Sequence, residues 1–218
     1  IIKSAELDAF GYMYTISGEN SLTRKAPVGI TKAIAIFPYN QDMVFYANHD
    51  LVQRGNQQGL NITPNPYQKE EHHSLYKLSF TIDSKVFGED SWVVNNEPSY
   101  DDNNKTLTLK TGIVKIFNNV EKKNNSVNEY EIRENESVKG SIIVEDKGNN
   151  IYKVSVKLLD ELKKRRICQI LTAIHDGLVA HSSGEDNTIV PLFMIAAPLK
   201  VPSPVFHPYI DKTNDDNG

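Results

Sequence analysis

The chain has 218 residues, with 39% hydrophobic and 24% charged residues and no run of eighteen apolar residues, which excludes a membrane-spanning helix and is typical of a globular protein. The formal net charge of −4 excludes a protein that is basic over its whole surface, so any nucleic-acid site must be a local basic patch. The single cysteine excludes an intrachain disulfide framework, and because no secretory leader is visible we expect a cytoplasmic protein.

The first elements predicted in chain order are extended. Residues 22–38 combine apolar residues with Gly29 and predict an extended segment, and the short apolar run at 43–47 predicts a second strand. Residues 49–66 are rich in Gly, Asn, Gln and Pro, a composition that predicts a long loop or a mobile hairpin.

The middle of the chain alternates between strand and loop patterns. Residues 78–82 and 106–109 alternate apolar and polar side chains, which predicts half-buried strands. Residues 118–128 are rich in Asn, Lys and Glu and predict a solvated loop. Two alternating runs at 142–144 and 152–156 flank a turn-forming Lys-Gly-Asn-Asn, and this pattern predicts a β-hairpin.

A strand, a helix and a second strand are predicted near the C-terminus. We expect Asp160 to cap an amphipathic helix that ends at residues 182–184. Its apolar stripe comprises Leu162, Ile167, Ile170, Leu171, Ile174 and Leu178. The nearly continuous apolar run at 188–197 predicts a central strand covered on both faces.

Strand, helix and strand over 151–199 are one half of a ferredoxin-like unit, in which two such halves form a four-stranded sheet backed by two helices. The extended segment at 22–37 would be the last strand of the other half. We therefore expect the first strand and helix of that half to precede residue 1.

Motifs for catalysis or cofactor binding are missing from the sequence. The six histidines lack the spacing of a zinc protease, and we find no phosphate-binding loop, dinucleotide fingerprint or nucleophile elbow. His72 and His73 stand beside two glutamates, but neighbouring strand residues point to opposite faces, so a polar loop is favoured over a metal site. We interpret Cys168 as a small packing residue of the helix. The sequence thus predicts neither a metal nor another cofactor.

Two basic segments suggest binding of a polyanion. Residues 23–32 (Thr-Arg-Lys-Ala-Pro-Val-Gly-Ile-Thr-Lys) combine hydroxyls, cations and a glycine that permits close backbone approach, and this combination suits contacts to phosphate oxygens. A solvated strand edge is the alternative interpretation. The run at 163–166 wraps around a helix, so its four side chains cannot all face one ligand, and a solvated helix face is the favoured interpretation of this run. The aromatic pattern of a base-stacking RNA-recognition motif does not occur, which favours backbone contacts over base contacts.

Several stretches carry a resemblance to a known family. The first are Phe10-Gly11-Tyr12-Met13 and then Thr23-Arg24-Lys25-Ala26-Pro27-Val28-Gly29-Ile30-Thr31-Lys32-Ala33. Further stretches follow in order: Asn65-Pro66-Tyr67, Glu70-Glu71, Leu75 to Asp83, and Arg166 to Ile174 with a glycine loop and an apolar strand through Pro191 after it. Together they resemble the DevR family of CRISPR-associated proteins, the backbone subunits of type I surveillance complexes. The Asn-rich stretch at about 100–128 has no counterpart in the resemblance.

The resemblance implies an α+β fold, a modified ferredoxin-like or RNA-recognition-motif fold with large β-rich insertions and a thumb hairpin. In these terms, residues 1–218 would form a single domain with insertions at 39–150, a thumb at 49–73, the strand–helix–strand core at 151–199 and a tail at 200–218. It also implies a non-catalytic subunit of a type I, I-B-like Cascade complex. The expected partners are CRISPR RNA, target DNA paired to the guide, head-to-tail copies of the chain and other Cascade subunits, with no membrane.

Eight residues are predicted to contact the RNA. They are Thr23, Arg24, Lys25, Gly29, Thr31, Lys32, Arg54 and Arg165. Two other functions stay open at this point. Type III relatives cleave target RNA with a loop aspartate, for which Asp50 would be the candidate, and a ferredoxin-like structural or regulatory protein would bind no RNA.

Overall fold

The computed structural model describes residues 1–15, 21–40, 42–72, 74–110, 114–123, 126, 128–182 and 185–211. Within them the protein is mixed α/β, with mostly strands and three α-helices, which confirms the predicted class. The chain folds as two compact units. Unit 1 holds Ile1–Gly29 and Phe80–Ser203, and unit 2 holds Ile30–Ser79 and the described part of Pro204–Gly218.

The helices and strands are short and are named in chain order. They are α1 (Ala5–Phe10), β1 (Tyr12–Tyr14), β2 (Leu22–Arg24), β3 (Val28–Ile30), β4 (Ile34–Ala35), β5 (Asp42–Tyr46), α2 (His49–Gln57), β6 (Tyr67–Glu71), β7 (Tyr76–Lys77), β8 (Phe80–Ile82), β9 (Glu89–Val94), β10 (Ser99–Asp101), β11 (Thr106–Lys110), β12 (Val114–Asn118), β13 (Val120–Lys122), β14 (Glu129–Glu134), β15 (Ser137–Asp146), β16 (Tyr152–Leu158), α3 (Asp160–Asp176), β17 (Leu178–Ser182), β18 (Glu185–Ile189) and a 3₁₀ turn (His207–Tyr209). None of the helices in the described part of the chain is long and apolar enough to cross a membrane.

The main core of unit 1 joins two antiparallel sheets. One sheet has the strand order β13-β14-β15-β16-β9, and the other has the order β10-β11-β12. Alternate residues of these strands point inward, as expected for sheets with one solvated face. The buried core side chains are Val94, Leu107, Leu109, Val120, Tyr130, Ile132, Ile142, Val144, Val154 and Val156. Burying a side chain of this size stabilises the fold by about 1.5–3 kcal/mol.

The predicted β-hairpin near residue 148 is confirmed. Strands β15 and β16 pair antiparallel with Ile142 opposite Val156, and the turn between them has positive φ at Gly148, Asn149 and Asn150. Glycine and asparagine adopt this left-handed backbone more readily than other residues, so the turn sequence fixes the hairpin register.

Helix α3 differs from its prediction at both ends. The residue in the N-cap position is Leu159, whose side chain makes no capping bond, and Asp160 lies in the first turn instead. The helix ends at Asp176, earlier than the predicted 182–184, because Gly177 takes φ 95° and ψ 157°. That combination of φ and ψ is essentially restricted to glycine, so the helix ends before Gly177, the residue that leads into β17.

The predicted central strand at 188–197 is wrong. Only its beginning is a strand, since β18 ends at Ile189 and pairs with β17. The following residues have no regular structure, and Leu192 and Phe193 are 78% and 69% exposed. Pro191 has no backbone N–H to donate to a ladder, and this weakens strand formation there. Strand β16 and the β17–β18 hairpin therefore lie in different sheets, so the ferredoxin-like topology is not confirmed.

Unit 2 contains two small antiparallel sheets, β4–β7 and β5–β6. Strand β5 confirms the prediction at 43–47. The predicted loop at 49–66 is wrong over its first half, where helix α2 forms. The side chain of Asn48 accepts a hydrogen bond of 3.0 Å from the Leu51 N–H, and Asp50 lies in the first turn. Both are favourable at a helix start, and they outweigh the poor helix propensity of the Gly and Asn residues that follow.

Candidate nucleic-acid interface

The predicted RNA-binding segment begins in the β1–β2 hairpin of unit 1. Met13 lies opposite Thr23, and Tyr12 lies opposite Arg24. Because side chains alternate along a strand, Thr23 is exposed while Arg24 is buried, and Lys25 just beyond the strand is exposed again. The hairpin thus directs a hydroxyl and an ammonium group to solvent and a guanidinium group to the interior.

Arg24 belongs to a buried charge cluster centred on Asp8. The Asp8 side chain is fully buried, and its Oδ1 accepts bonds from Arg24 Nη2 at 2.9 Å and from the Gly88 N–H at 2.8 Å. Its Oδ2 accepts a bond of 2.9 Å from Arg166 Nη1. Buried charges are stable when they are paired and hydrogen-bonded in this way. Sequence reasoning missed Asp8 and found Arg166 only within the basic run at 163–166 and the stretch Arg166 to Ile174, because no local pattern pairs the two residues.

The other donors of Arg24 are also used inside the protein. They bond to the backbone oxygens of Leu7, Asp8, Val86 and Glu89, the last two at 3.1 Å each. Arg24 Nε lies 3.8 Å from Asp90 Oδ2 and is the one nitrogen of this guanidinium with no hydrogen-bond partner. The structure therefore gives Arg24, predicted as an RNA contact, an internal role: its side chain is 3% exposed and its charge is balanced by carboxylates.

Tyr12 and Trp92 border this cluster. The Tyr12 hydroxyl donates a bond of 2.8 Å to Asp90 Oδ2. Burial, with the bond to Asp90 and its charge, raises the pKa of Tyr12 to about 12. Lys115 Nζ lies 3.9 Å from the Trp92 ring centroid, a cation–π contact, and burial lowers the pKa of this ammonium. The ammonium of Lys115 thus packs on an aromatic face within the unit.

The backbone conformation at Gly11 explains why the Phe-Gly-Tyr-Met stretch contains a glycine. Its backbone has φ 70° and ψ −171°, a region that is essentially restricted to glycine. A Cβ atom added there would lie 2.8 Å from the Ala26 N and would also collide with the Arg24 carbonyl oxygen. The two halves of the sequence signature, Phe10–Met13 and Thr23–Ala33, therefore meet backbone to backbone at this point.

Gly29 and Thr31 are accounted for by packing and hydrogen bonds. A Cβ atom on Gly29 would lie 2.6 Å from Thr81 Oγ1. In unit 2, the Thr31 N–H donates to the Ser79 carbonyl oxygen at 3.0 Å, and the Thr31 hydroxyl accepts a bond of 2.9 Å from the Ser79 N–H. Gly29 therefore permits the close approach of Thr81, and Thr31 joins two chain segments through its bonds to Ser79.

Four predicted cations are exposed. Lys25 and Arg165 lie in unit 1, and Lys32 and Arg54 lie in unit 2. None of the four forms an ion pair with another described residue. Together with exposed Thr23, the candidate phosphate-binding side chains are three in unit 1 and two in unit 2.

The other residues that the sequence analysis considered lie apart from this segment. The residues described contain no cluster of three or more His, Cys, Asp or Glu that would hold a metal ion. His72 bonds through Nδ1 to the Tyr76 hydroxyl at 2.8 Å, and His73 lies outside the described residues. Asp50 is exposed in the first turn of α2. Cys168 is exposed, so its interpretation as a packing residue is wrong.

Comparison with known proteins identifies a matching family. The family model described as CRISPR-associated negative auto-regulator DevR/Csa2 matches residues 1–217. No curated protein and no solved structure matches the chain significantly. The match includes the hairpin, the Asp8 cluster and both groups of exposed cations.

Proposed function

Because the chain belongs to the DevR/Csa2 family of CRISPR-associated proteins, we propose that it is a non-catalytic backbone subunit of a type I, I-B-like Cascade complex that binds CRISPR RNA. The observation that carries the proposal is the family match over residues 1–217. The same proposal includes the family's modified RNA-recognition-motif fold and a thumb at 49–73, which here contains helix α2 and strand β6.

The exposed side chains support binding through phosphate and sugar. Lys25 and Arg165 in unit 1 and Lys32 and Arg54 in unit 2 are solvent-facing cations that form no ion pair within the described residues. A protein that serves guides of any sequence must bind the RNA backbone, because contacts to base edges would restrict the guide. Base pairing with target DNA then reads the sequence, as in other RNA-guided effectors.

Assembly along the guide is the second part of the proposal. A subunit that repeats along a linear RNA needs a head-to-tail contact, since a two-fold dimer uses up its own interface. The formal net charge of −4 makes separate copies repel one another, and a shared RNA across their local basic patches offsets that repulsion. Other Cascade subunits would then bind the ends of the resulting filament.

RNA binding is tested by fluorescence anisotropy with two labelled single-stranded RNAs of unrelated sequence. We expect similar affinity for both and a steep decrease with salt. Lys25→Gln should weaken both equally and make the slope of log K against log salt less steep by about 0.7, the value for one phosphate contact on a single strand. Lys123→Gln is the control, because Lys123 is exposed and paired with Glu129 at 3.2 Å. Absence of binding by the unaltered chain would refute the proposal.

Assembly is tested by light scattering with RNAs of increasing length. The proposal requires a mass that increases in proportion to RNA length and a mostly monomeric protein without RNA. A closed dimer whose mass does not depend on RNA length would refute head-to-tail assembly.

A further inference from the structure

We propose that Asp8 is the positioning residue of the RNA-binding surface in unit 1, an inference that rests on the proposed function. Its carboxylate connects the strand that leads to Lys25 with the helix that carries Arg165. Asp8 itself is fully buried and touches no RNA, so its effect on binding is transmitted through Arg24 and Arg166.

Three chain segments that are distant in sequence meet at this carboxylate. Measured from Asp8, Arg24 is 16 residues away, Gly88 is 80 away and Arg166 is 158 away. Each donates a hydrogen bond of 2.8–2.9 Å to one of the two oxygens. The hairpin β1–β2, the turn before β9 and helix α3 are thus tied to a single group.

Each arginine that bonds to Asp8 is the sequence neighbour of an exposed cation. Lys25 follows Arg24, and because successive residues of an extended chain point to opposite sides, burying Arg24 turns Lys25 outward. Arg165 precedes Arg166 on α3, where neighbouring side chains differ by about 100° around the axis, so turning Arg166 towards Asp8 leaves Arg165 exposed. The direction of both exposed cations follows from the bonds to Asp8.

The carboxylate also keeps the two guanidinium groups close together. Arg166 Nη1 and Nη2 donate to the carbonyl oxygens of Ile1 and Ile2 at 2.8 Å each, and Arg24 donates to the Val86 and Glu89 carbonyls. Without the negative charge of Asp8, two like charges would face each other in a region of low dielectric constant, where their repulsion is strong. The β2 segment and α3 would then move apart, and Lys25 and Arg165 with them.

The test uses the salt dependence of RNA binding by the full chain, measured by anisotropy with a labelled, unstructured 30-nucleotide RNA. Asp8→Asn keeps the shape of the side chain and removes its charge. We expect the slope of log K against log salt to become less steep by about 1.4, which corresponds to the loss of two phosphate contacts at about 0.7 each. The double variant Lys25→Gln/Arg165→Gln should show the same loss, and adding Asp8→Asn to it should change nothing further. A purely structural residue would lower the melting temperature without changing the slope of the folded protein.

Asp90→Asn is the matched control. Asp90 Oδ2 lies 3.8 Å from Arg24 Nε and does not bond to Arg166, so its loss removes one negative charge without separating strand and helix. We expect its slope to equal that of the unaltered chain. If circular dichroism shows that Asp8→Asn is unfolded, Arg166→Lys replaces it, because lysine keeps the charge but cannot reproduce the forked bonds, and the expected loss is about 0.7.

The outcomes separate this inference from the proposed function. If the unaltered chain does not bind RNA, the proposed function fails and the inference fails with it. If the unaltered chain binds and the folded Asp8 or Arg166 variant has an unchanged slope, the inference alone is overturned. The inference would also be overturned if adding Asp8→Asn to the Lys25→Gln/Arg165→Gln variant reduced the salt slope by as much as Asp8→Asn does alone.

Discussion

Replacing Gly11 by alanine tests whether the Phe-Gly-Tyr-Met stretch is required for folding. Alanine at φ 70° and ψ −171° costs about 1–3 kcal/mol in backbone strain. The added Cβ would also lie 2.8 Å from the Ala26 N, and it cannot be accommodated unless two backbone segments separate. We therefore expect Gly11→Ala to lower the free energy of unfolding by about 2–6 kcal/mol, because overpacking adds about 1–3 kcal/mol to the strain.

Gly148→Ala is the matched control. Gly148 has φ 82° but no atom within 4 Å of an added Cβ, so only the strain of a left-handed backbone, about 1 kcal/mol, should be lost. Urea unfolding followed by fluorescence of Trp92, the single tryptophan, reports on unit 1 in both variants. Equal destabilisation by the two substitutions would refute the close approach of the Gly11 and Ala26 backbones.

Three further predictions concern the core, a titration and an exposed segment. Ile142→Ala, at a fully buried position, should lower the free energy of unfolding by about 3 kcal/mol in the same urea assay, and a loss below about 1 kcal/mol would contradict the core assignment. Ultraviolet titration should show Tyr12 ionising near its raised pKa of about 12. Since the folded state then holds a proton that the unfolded state loses above its ordinary pKa of 10.0, stability should decrease between these pH values, and a Tyr12 pKa near 10 would contradict the buried bond to Asp90. Leu192→Ser and Phe193→Ser should each change the free energy of unfolding by less than about 0.5 kcal/mol because these side chains are largely exposed, and a cost above about 2 kcal/mol would show that they are covered.

Local patterns predicted the elements whose signal lies within a few residues. The β15–β16 hairpin follows from two alternating runs and a Gly-Asn-Asn turn, and α3 follows from an apolar stripe with acidic residues in the first turn. Helix α2 was missed because Gly, Asn and Gln make up four of its nine residues, a composition typical of a loop. The capping Asn48 was nevertheless visible in the sequence. The apolar run after Ile189 predicted a buried strand, but apolar composition cannot show whether a partner strand lies beside it.

The sequence by itself determined the family and the chemical composition of residues 23–32, the predicted binding segment. Its ordered motifs led to the DevR resemblance, which the family match over residues 1–217 confirms, and its hydroxyl and basic residues predicted a phosphate-binding region. Only the tertiary structure decided which cation of that region faces inward. Arg24 and Lys25 carry the same charge side by side, and what separates them is a carboxylate 16 residues away that no local pattern relates to either. Pairing between distant charges depends on where the chain brings them, so the bonds of Arg24 and Arg166 to Asp8 became visible only in three dimensions.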